Sequence, residues 1–351
     1  MAATFNDIES PAEQSNILQK ILDTTREAVV VIDSDLRIAY HNTPAVAAFR
    51  PDGSDLKTKR LSEVIRHPAL HEACRLAVAT EKSGDVRLEL LTGQKRNFDV
   101  YVAPFDLERK KFAIIFFHET TQIDRLETVR QEFLSNISHE LRTPLTSILA
   151  FVETLEDGAI NDKENNLRFL EVIRRNAKRM HSLIADILEL SMIESGNVSL
   201  SIRKVQLSTV VNHVFSALAA KAGDGEIKLK SDIPHDIEIL ADVVRLEQML
   251  TNLVDNAIKF NRPGGLVTVS HSTDDDREVI SVADTGEGLL PEHAQRIFER
   301  FYRSDRARSR EVGGTGLGLA IVKHLAKLHG GEVSVASAIG SGTIFRIELP
   351  G

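Results

Sequence analysis

Apolar positions follow three different rhythms along the chain. Near the start they come as short runs. Ala28-Val-Val-Val-Ile-Asp33 is β-branched, and Leu36-Arg-Ile-Ala-Tyr40 follows it across the polar Asp33-Ser-Asp35. Two such runs joined by a polar turn predict a hairpin. Helical segments are expected up to about Lys82, then strands around Val86 to Leu91 and Arg96 to Ala103. Phe112-Ala-Ile-Ile-Phe-Phe117 is a last strand, expected at the centre of its sheet. Residues 15–118 therefore read as an α/β domain behind a tail, 1–14. After His118 the rhythm turns helical. Ile123, Leu126, Val129, Phe133, Ile137, Leu141 and Ile148 recur at helix spacing, and Pro144 is the only Pro or Gly between 119 and 157. Beyond the break Asp157-Gly-Ala-Ile-Asn-Asp162, a second helix carries Ile173, Ala177, Met180, Ile184, Ile187 and Ser191. Steps of four and three mark the seam of a coiled coil or four-helix bundle. A two-helix hairpin over 119–198 cannot bury both faces alone. It either dimerises into a four-helix bundle or packs on the neighbouring domains. From 199 to 351 mixed α/β patterning returns. Helices are expected at 208–221, 242–259, 291–299 and 316–329. Strands are expected near 226–231, 265–272, 277–283, 332–337 and 343–349.

Composition narrows the class. Lys plus Arg total 43 and Asp plus Glu 51, a net charge of −8, which argues against sequence-independent nucleic-acid binding. One cysteine, Cys74, allows no internal disulfide and no cysteine-based zinc site, in keeping with a reducing compartment. The longest stretch free of Asp, Glu, Lys and Arg runs from Val205 to Ala220 and contains Gln206, Asn212 and His213. A spanning helix needs about 20 mostly apolar residues. No signal peptide is visible in the opening residues, so a cytoplasmic protein is expected; any membrane contact is made through a partner, or the chain is the soluble part of something longer.

One histidine stands out. With Ile137 at zero on a helical wheel of 100° per residue, Phe133, Leu141 and Ile148 cluster within about 40°, whereas His139 falls at about 200°. Thr143 and Thr146 share its outward face. Glu140 follows directly, and a carboxylate holding one ring N–H would leave the other nitrogen free as a nucleophile. Pro144 should kink the helix and free a carbonyl beside this face. The alternative is a solvated surface histidine.

Candidate anion-binding chemistry lies further on. Asp284-Thr-Gly-Glu-Gly288 follows the apolar run Val279-Ile-Ser-Val-Ala283, and Gly313-Gly-Thr-Gly-Leu-Gly318 opens a helix. Glycines at a helix start let backbone N–H groups approach a phosphate. No Gly-Lys-Ser/Thr follows, so this is not a P-loop, and no acid stands where a dinucleotide fingerprint needs one. Asn252, Asn256 and Lys259 share a helix face, where an amide oxygen suits Mg²⁺ and a lysine suits phosphate. Arg303 to Glu311 is locally basic and reads either as a lid over a polyphosphate or as a solvated loop.

The run Ser138-His-Glu-Leu-Arg-Thr-Pro-Leu145 resembles the H-box of sensor histidine kinases. Asn252 to Phe260 resembles their N-box, Asp284 to Gly288 the G1 box, Phe298-Glu-Arg-Phe-Tyr-Arg303 the F-box and Gly314 to Gly318 the G2 box. The order of the boxes is also that of the family, and the resemblance covers about 120–351. It implies a multidomain α/β chain: a two-helix dimerisation hairpin forming a four-helix bundle in the homodimer, then a C-terminal α/β sandwich of the Hsp90/gyrase/histidine-kinase type. It implies ATP and Mg²⁺ as cofactors, with Asn256 as the metal ligand. Asn252 and Lys259 would lie near the phosphates, Phe260 beside the base, Asp284 on the adenine amino group, and Tyr302 and Arg303 near the nucleotide. Gly286 and Gly288 belong to the same site, as do Gly314, Thr315, Gly316, Leu317 and Gly318. His139 would be the phospho-acceptor and Glu140 its orienting carboxylate, with Thr143 placed to orient water for dephosphorylating a response regulator, whose receiver domain is the implied partner.

Residues 15–118 resemble a PAS sensor domain, with Asn42 where such domains often carry an asparagine. His-Glu-Ala-Cys74-Arg does not resemble a flavin-adduct motif, so either a small-molecule ligand or an upstream sensor is open. Phe133 to Thr146 with Phe151-Val-Glu-Thr-Leu155 resembles phosphate-regulon sensor kinases. Two other readings stand beside the kinase: a clamp ATPase, which needs no His139, and a non-enzymatic scaffold, which needs no nucleotide.

Overall fold

The computed structural model describes residues 20–50, 53–92, 94–107, 109–162, 164–303 and 314–351. The chain falls into two compact units, Met1–Glu132 and Phe133–Gly351.

The first unit is built on a five-stranded antiparallel sheet. Its strands are β1 (Ala28–Asp33), β2 (Ile38–His41), β3 (Gly84–Thr92), β4 (Gln94–Leu107) and β5 (Lys110–Glu119), in the order β2-β1-β5-β4-β3. The apolar run of β5 is indeed central. Asp33 makes the β1–β2 turn, its Oδ1 accepting the backbone N–H groups of Asp35 and Arg37 at 2.9 Å each. Helices α1 (Thr43–Phe49), α2 (Leu61–Val64) and α3 (Pro68–Thr80) lie between β2 and β3 and cover the inner face. Phe49, Phe98 and Phe117 meet at its centre with ring centroids 4.7–6.3 Å apart, Phe117 edge-on to the other two. Asn42 is fully buried and caps α1: its Oδ1 accepts from Ala45 N–H at 3.1 Å and Val29 N–H at 2.8 Å. Its amide donates to the carbonyls of Leu22 and Glu27 at 2.9 and 2.8 Å. Cys74 lies in the same core, where burial pushes its thiol up to about 12.

Helix α4 (Thr121–Glu156) starts directly after β5. Asp124 in its first turn accepts from Arg87 at 2.5 Å, Asn97 at 2.7 Å and Thr120 at 3.0 Å. The Arg87 guanidinium, with those donors, holds this carboxyl below the usual range. The helix then runs without interruption through Pro144. A proline at 144 leaves the Glu140 carbonyl without its N–H partner. The Thr143 hydroxyl donates to a different carbonyl, that of His139, at 3.2 Å.

In the second unit, α4 continues into a 3₁₀ turn (Ala159–Asn161) and α5 (Asn166–Glu194). Across the hairpin Arg179 pairs with Glu140 at 2.9 Å, and Phe151 lies 5.4 Å from Phe169. The seam residues Ile173, Met180 and Ile187 are only half-buried, and Ala177, Ile184 and Ser191 are exposed. The residues α5 does bury are Leu183, Leu190 and Ile193, and they join the core of the C-terminal layer. That layer is a mixed sheet, β11-β12-β10-β9-β7, made of β7 (Lys228–Asp232), β9 (Leu266–Asp274), β10 (Arg277–Asp284), β11 (Glu332–Ala338) and β12 (Gly342–Pro350). Only β7 and β9 pair in parallel. Helices α6 (Leu207–Asp224), α7 (Val243–Lys259) and α9 (Gly318–Leu328) pack on one face of it. Two short elements lay outside the sequence expectation, the ribbon of β6 (Arg203–Gln206) with β8 (Glu238–Ala241). The helix expected at 291–299 is confined to α8 (Pro291–Ala294). No described helix is long and apolar enough to cross a membrane.

Candidate functional site

The C-terminal site is assembled at one end of the sheet. Strand side chains alternate between faces, so Ile280, Val282 and Asp284 all point toward the helices. The first two fill the core; the third ends the strand as a buried carboxylate. Its Oδ1 accepts from Gly286 N–H at 2.8 Å and Thr343 N–H at 3.2 Å. No hydrogen bond reaches its Oδ2 among the described residues. Burial raises its pKa, and the two backbone donors only partly offset that. Gly286 is required here: a Cβ would stand 2.3 Å from the Phe260 carbonyl oxygen. Gly288 has φ +73°, and a Cβ there would fall 2.0 Å from the Ala338 oxygen.

Helix α7 supplies the adjacent wall. Asp242 caps it, accepting from Val244 and Arg245 N–H at 3.0 and 3.2 Å. Leu246, Met249, Leu250, Leu253, Val254 and Ala257 face the core, which leaves Asn252, Asn256 and Lys259 on the opposite, half-buried side. The Asn252 amide donates to the Gly318 carbonyl at 3.4 Å. The Asn256 side chain has no hydrogen bond among the described residues. Lys259 is committed to Asp255 at 2.5 Å, while Lys221 takes the other carboxylate oxygen. Burial works against the Asp255 charge, but the two ammonium groups outweigh it and keep its pKa low. Phe260 ends the helix exposed.

The glycine cluster and the aromatic segment before it hold each other. Phe301 adopts φ +60° and donates its N–H to the Gly316 carbonyl at 2.9 Å. Gly316, at φ +74°, leaves no room for a Cβ, which would lie 2.9 Å from Phe301 Cα. Gly314 and Gly318 flank it, with Gly318 opening α9. The Thr315 hydroxyl accepts from Leu317 N–H at 3.2 Å and donates to Asp186 of α5 at 2.6 Å. Tyr302 packs under Arg296 and meets His293 through its hydroxyl at 2.7 Å. Arg303 approaches Glu140 at 4.0 Å. The rest of the basic segment, 304–313, lies outside the described residues.

His139 is exposed on α4, as the wheel predicted, with Thr143 exposed one turn on. No hydrogen bond joins Glu140 to the His139 ring among the described residues. The Glu140 Oε2 is shared between Arg179 and Arg303. Long-range arginine partners, invisible in a local motif, redirect the carboxylate. Sequence reasoning also missed Asp186. It sits off the coiled-coil seam in an ordinary helical stretch, and only the fold brings it to Thr315.

Comparison with known proteins gives three matches along the chain. Residues 22–125 match the PAS fold, 129–196 the His Kinase A (phospho-acceptor) domain, and 241–351 the histidine kinase-, DNA gyrase B- and HSP90-like ATPase. The sensor-like histidine kinase SenX3 of Mycobacterium tuberculosis is 37% identical over 243 residues, 69% of this chain and 59% of that protein. The sensor histidine kinase WalK of Bacillus subtilis is 29% identical over all of this chain and 59% of its own length. The chain thus spans about three fifths of these relatives. Among solved structures, histidine kinase ThkA, in complex with response regulator protein TrrA, shares the fold at a TM-score of 0.52. It is 21% identical and covers 94% of this chain and 97% of that one.

Proposed function

The chain belongs to the PAS-containing sensor histidine kinases, and on that premise we propose that it phosphorylates itself on His139 from ATP and passes the phosphoryl group to an aspartate of a response regulator. The observation that carries this reading is the pairing of an exposed histidine on a helical hairpin with the site of Asp284, Asn256 and the glycine cluster in the same compact unit. Oδ2 of Asp284, with no hydrogen bond among the described residues, would accept from the adenine amino group. The Gly314–Gly318 segment and the start of α9 offer backbone N–H groups and a positive helix end to phosphates. Mg²⁺ fits the free amide oxygen of Asn256, a hard donor on the same face as Asn252 and Lys259. When bound it would neutralise charge on the transferring phosphates.

Neutral His139 attacks the γ-phosphorus through its unprotonated ring nitrogen, the bond to the β–γ bridging oxygen breaks, and ADP leaves. Glu140 remains available to the ring through Oε1, which carries no hydrogen bond among the described residues. The hairpin leaves Leu134, Leu145, Leu149, Ile184, Leu188 and Met192 exposed, each above 40% of full accessibility. Such a stripe on paired helices supports a homodimer closing a four-helix bundle. The PAS unit supplies the input through α4, and Thr143 serves regulator dephosphorylation by orienting water. Incubation with γ-labelled ATP and Mg²⁺ tests the reading: acid-labile, base-stable label on the chain is expected. ATP hydrolysis without label would favour a clamp ATPase, and no nucleotide binding would favour a scaffold.

A further inference from the structure

The hairpin helix α5 carries an acidic side chain that the proposed chemistry does not use. Asp186 lies half-buried between the hairpin and the nucleotide layer. Burial raises its pKa, nearby Glu189 adds to this, and the Thr315 hydroxyl and the charge of Lys259 oppose it. Its carboxylate reaches into the glycine cluster. The Thr315 hydroxyl spends its proton on Asp186 and its lone pair on Leu317 N–H. It therefore serves as a bridge from α5 to the backbone of the glycine cluster. Neighbouring contacts run the same way. Glu189 binds Arg245 at 2.6 Å and also Gln248, Glu194 binds Arg300 at 2.5 Å, and Phe133 packs 5.8 Å from Phe301. Of these, only Asp186 touches a residue of the glycine cluster.

We propose that Asp186 is a positioning residue for autophosphorylation, fixing the phosphate-binding segment against the hairpin that bears His139 through the Thr315 hydroxyl. This rests on the kinase reading. Asp186 touches no reacting atom, so its loss should leave nucleotide affinity in place and slow transfer. Asp186→Ala is expected to lower the saturated rate of His139 labelling about tenfold, the scale of losing one hydrogen bond to a charged group, with the Kd for ADP unchanged. Asp186→Asn, whose amide oxygen can still accept from Thr315, should recover most of the rate. Thr315→Val should match Asp186→Ala, and the double variant should be no slower than either single one.

A rate that rises in Asp186→Ala would make the bridge a restraint and overturn the proposal. So would a parallel fall in ADP affinity, which marks a merely structural role, or a double variant whose losses multiply. If the wild type acquires no label, the kinase reading fails first. The bridge is then judged by thermal unfolding of the same four variants, where additive losses would remove it.

Discussion

Asp284→Asn separates the two jobs of one carboxylate. The asparagine carbonyl can replace Oδ1 and keep the backbone N–H groups of Gly286 and Thr343 at their 2.8 and 3.2 Å contacts. Its amide then stands where Oδ2 was, a donor facing the adenine amino donor. Losing a hydrogen bond to a charged acceptor costs about 1.5–3 kcal/mol, so ADP affinity should fall roughly 10- to 150-fold. Stability should move the other way. Burial raises the Asp284 pKa, so the fold prefers the neutral acid. The stabilisation from this group is present below its unfolded pKa and lost as pH rises through its folded pKa. At neutral pH the wild type bears the cost of a buried charge that asparagine lacks. Nucleotide-free Asp284→Asn should therefore melt no lower than wild type near neutrality, and any advantage should shrink in acid. Titration calorimetry with ADP and thermal unfolding across pH measure both. Unchanged affinity, or a melting loss as large as that of Asp284→Ala, would refute the assignment.

Thr143→Ala should autophosphorylate at a near-normal rate, since the imidazole is itself the nucleophile, yet dephosphorylate its regulator more slowly; decay of phosphorylated regulator with added protein and ADP reads this, and equal decay would reduce Thr143 to its bond with the His139 carbonyl. Asn42→Ala should destabilise the PAS unit by about 2–4 kcal/mol, because it orphans the buried Val29 N–H and removes the α1 cap together; denaturant unfolding of that unit would show an unshifted midpoint if the asparagine is dispensable.

What the sequence disclosed and what it hid divide along physical lines. Period-two and period-3.6 patterns report which face is buried, and they located β5 at the sheet centre and His139 on the outer face of α4. Glycine positions were legible because Gly286, Gly288 and Gly316 stand where a Cβ would strike backbone. Partner choice among polar side chains was not legible. Arg179 and Arg303 reach Glu140 from 39 and 163 positions away, beyond any local motif. Helix α5 uses two faces. The heptad seam reports what a second hairpin would cover, whereas Leu183, Leu190 and Ile193 pack on the nucleotide layer of their own chain. Pro144 lies inside α4, where it leaves the Glu140 carbonyl without an N–H partner.

The central claim is that His139 takes the γ-phosphoryl group. Mapping the phosphorylated residue by mass spectrometry under base-stable conditions tests it, with wild type and His139→Gln compared at matched ADP occupancy. The account predicts phosphohistidine at position 139 alone in the wild type and none in the variant, with ADP binding retained. Phosphohistidine at another position, or label that persists in His139→Gln, would contradict it.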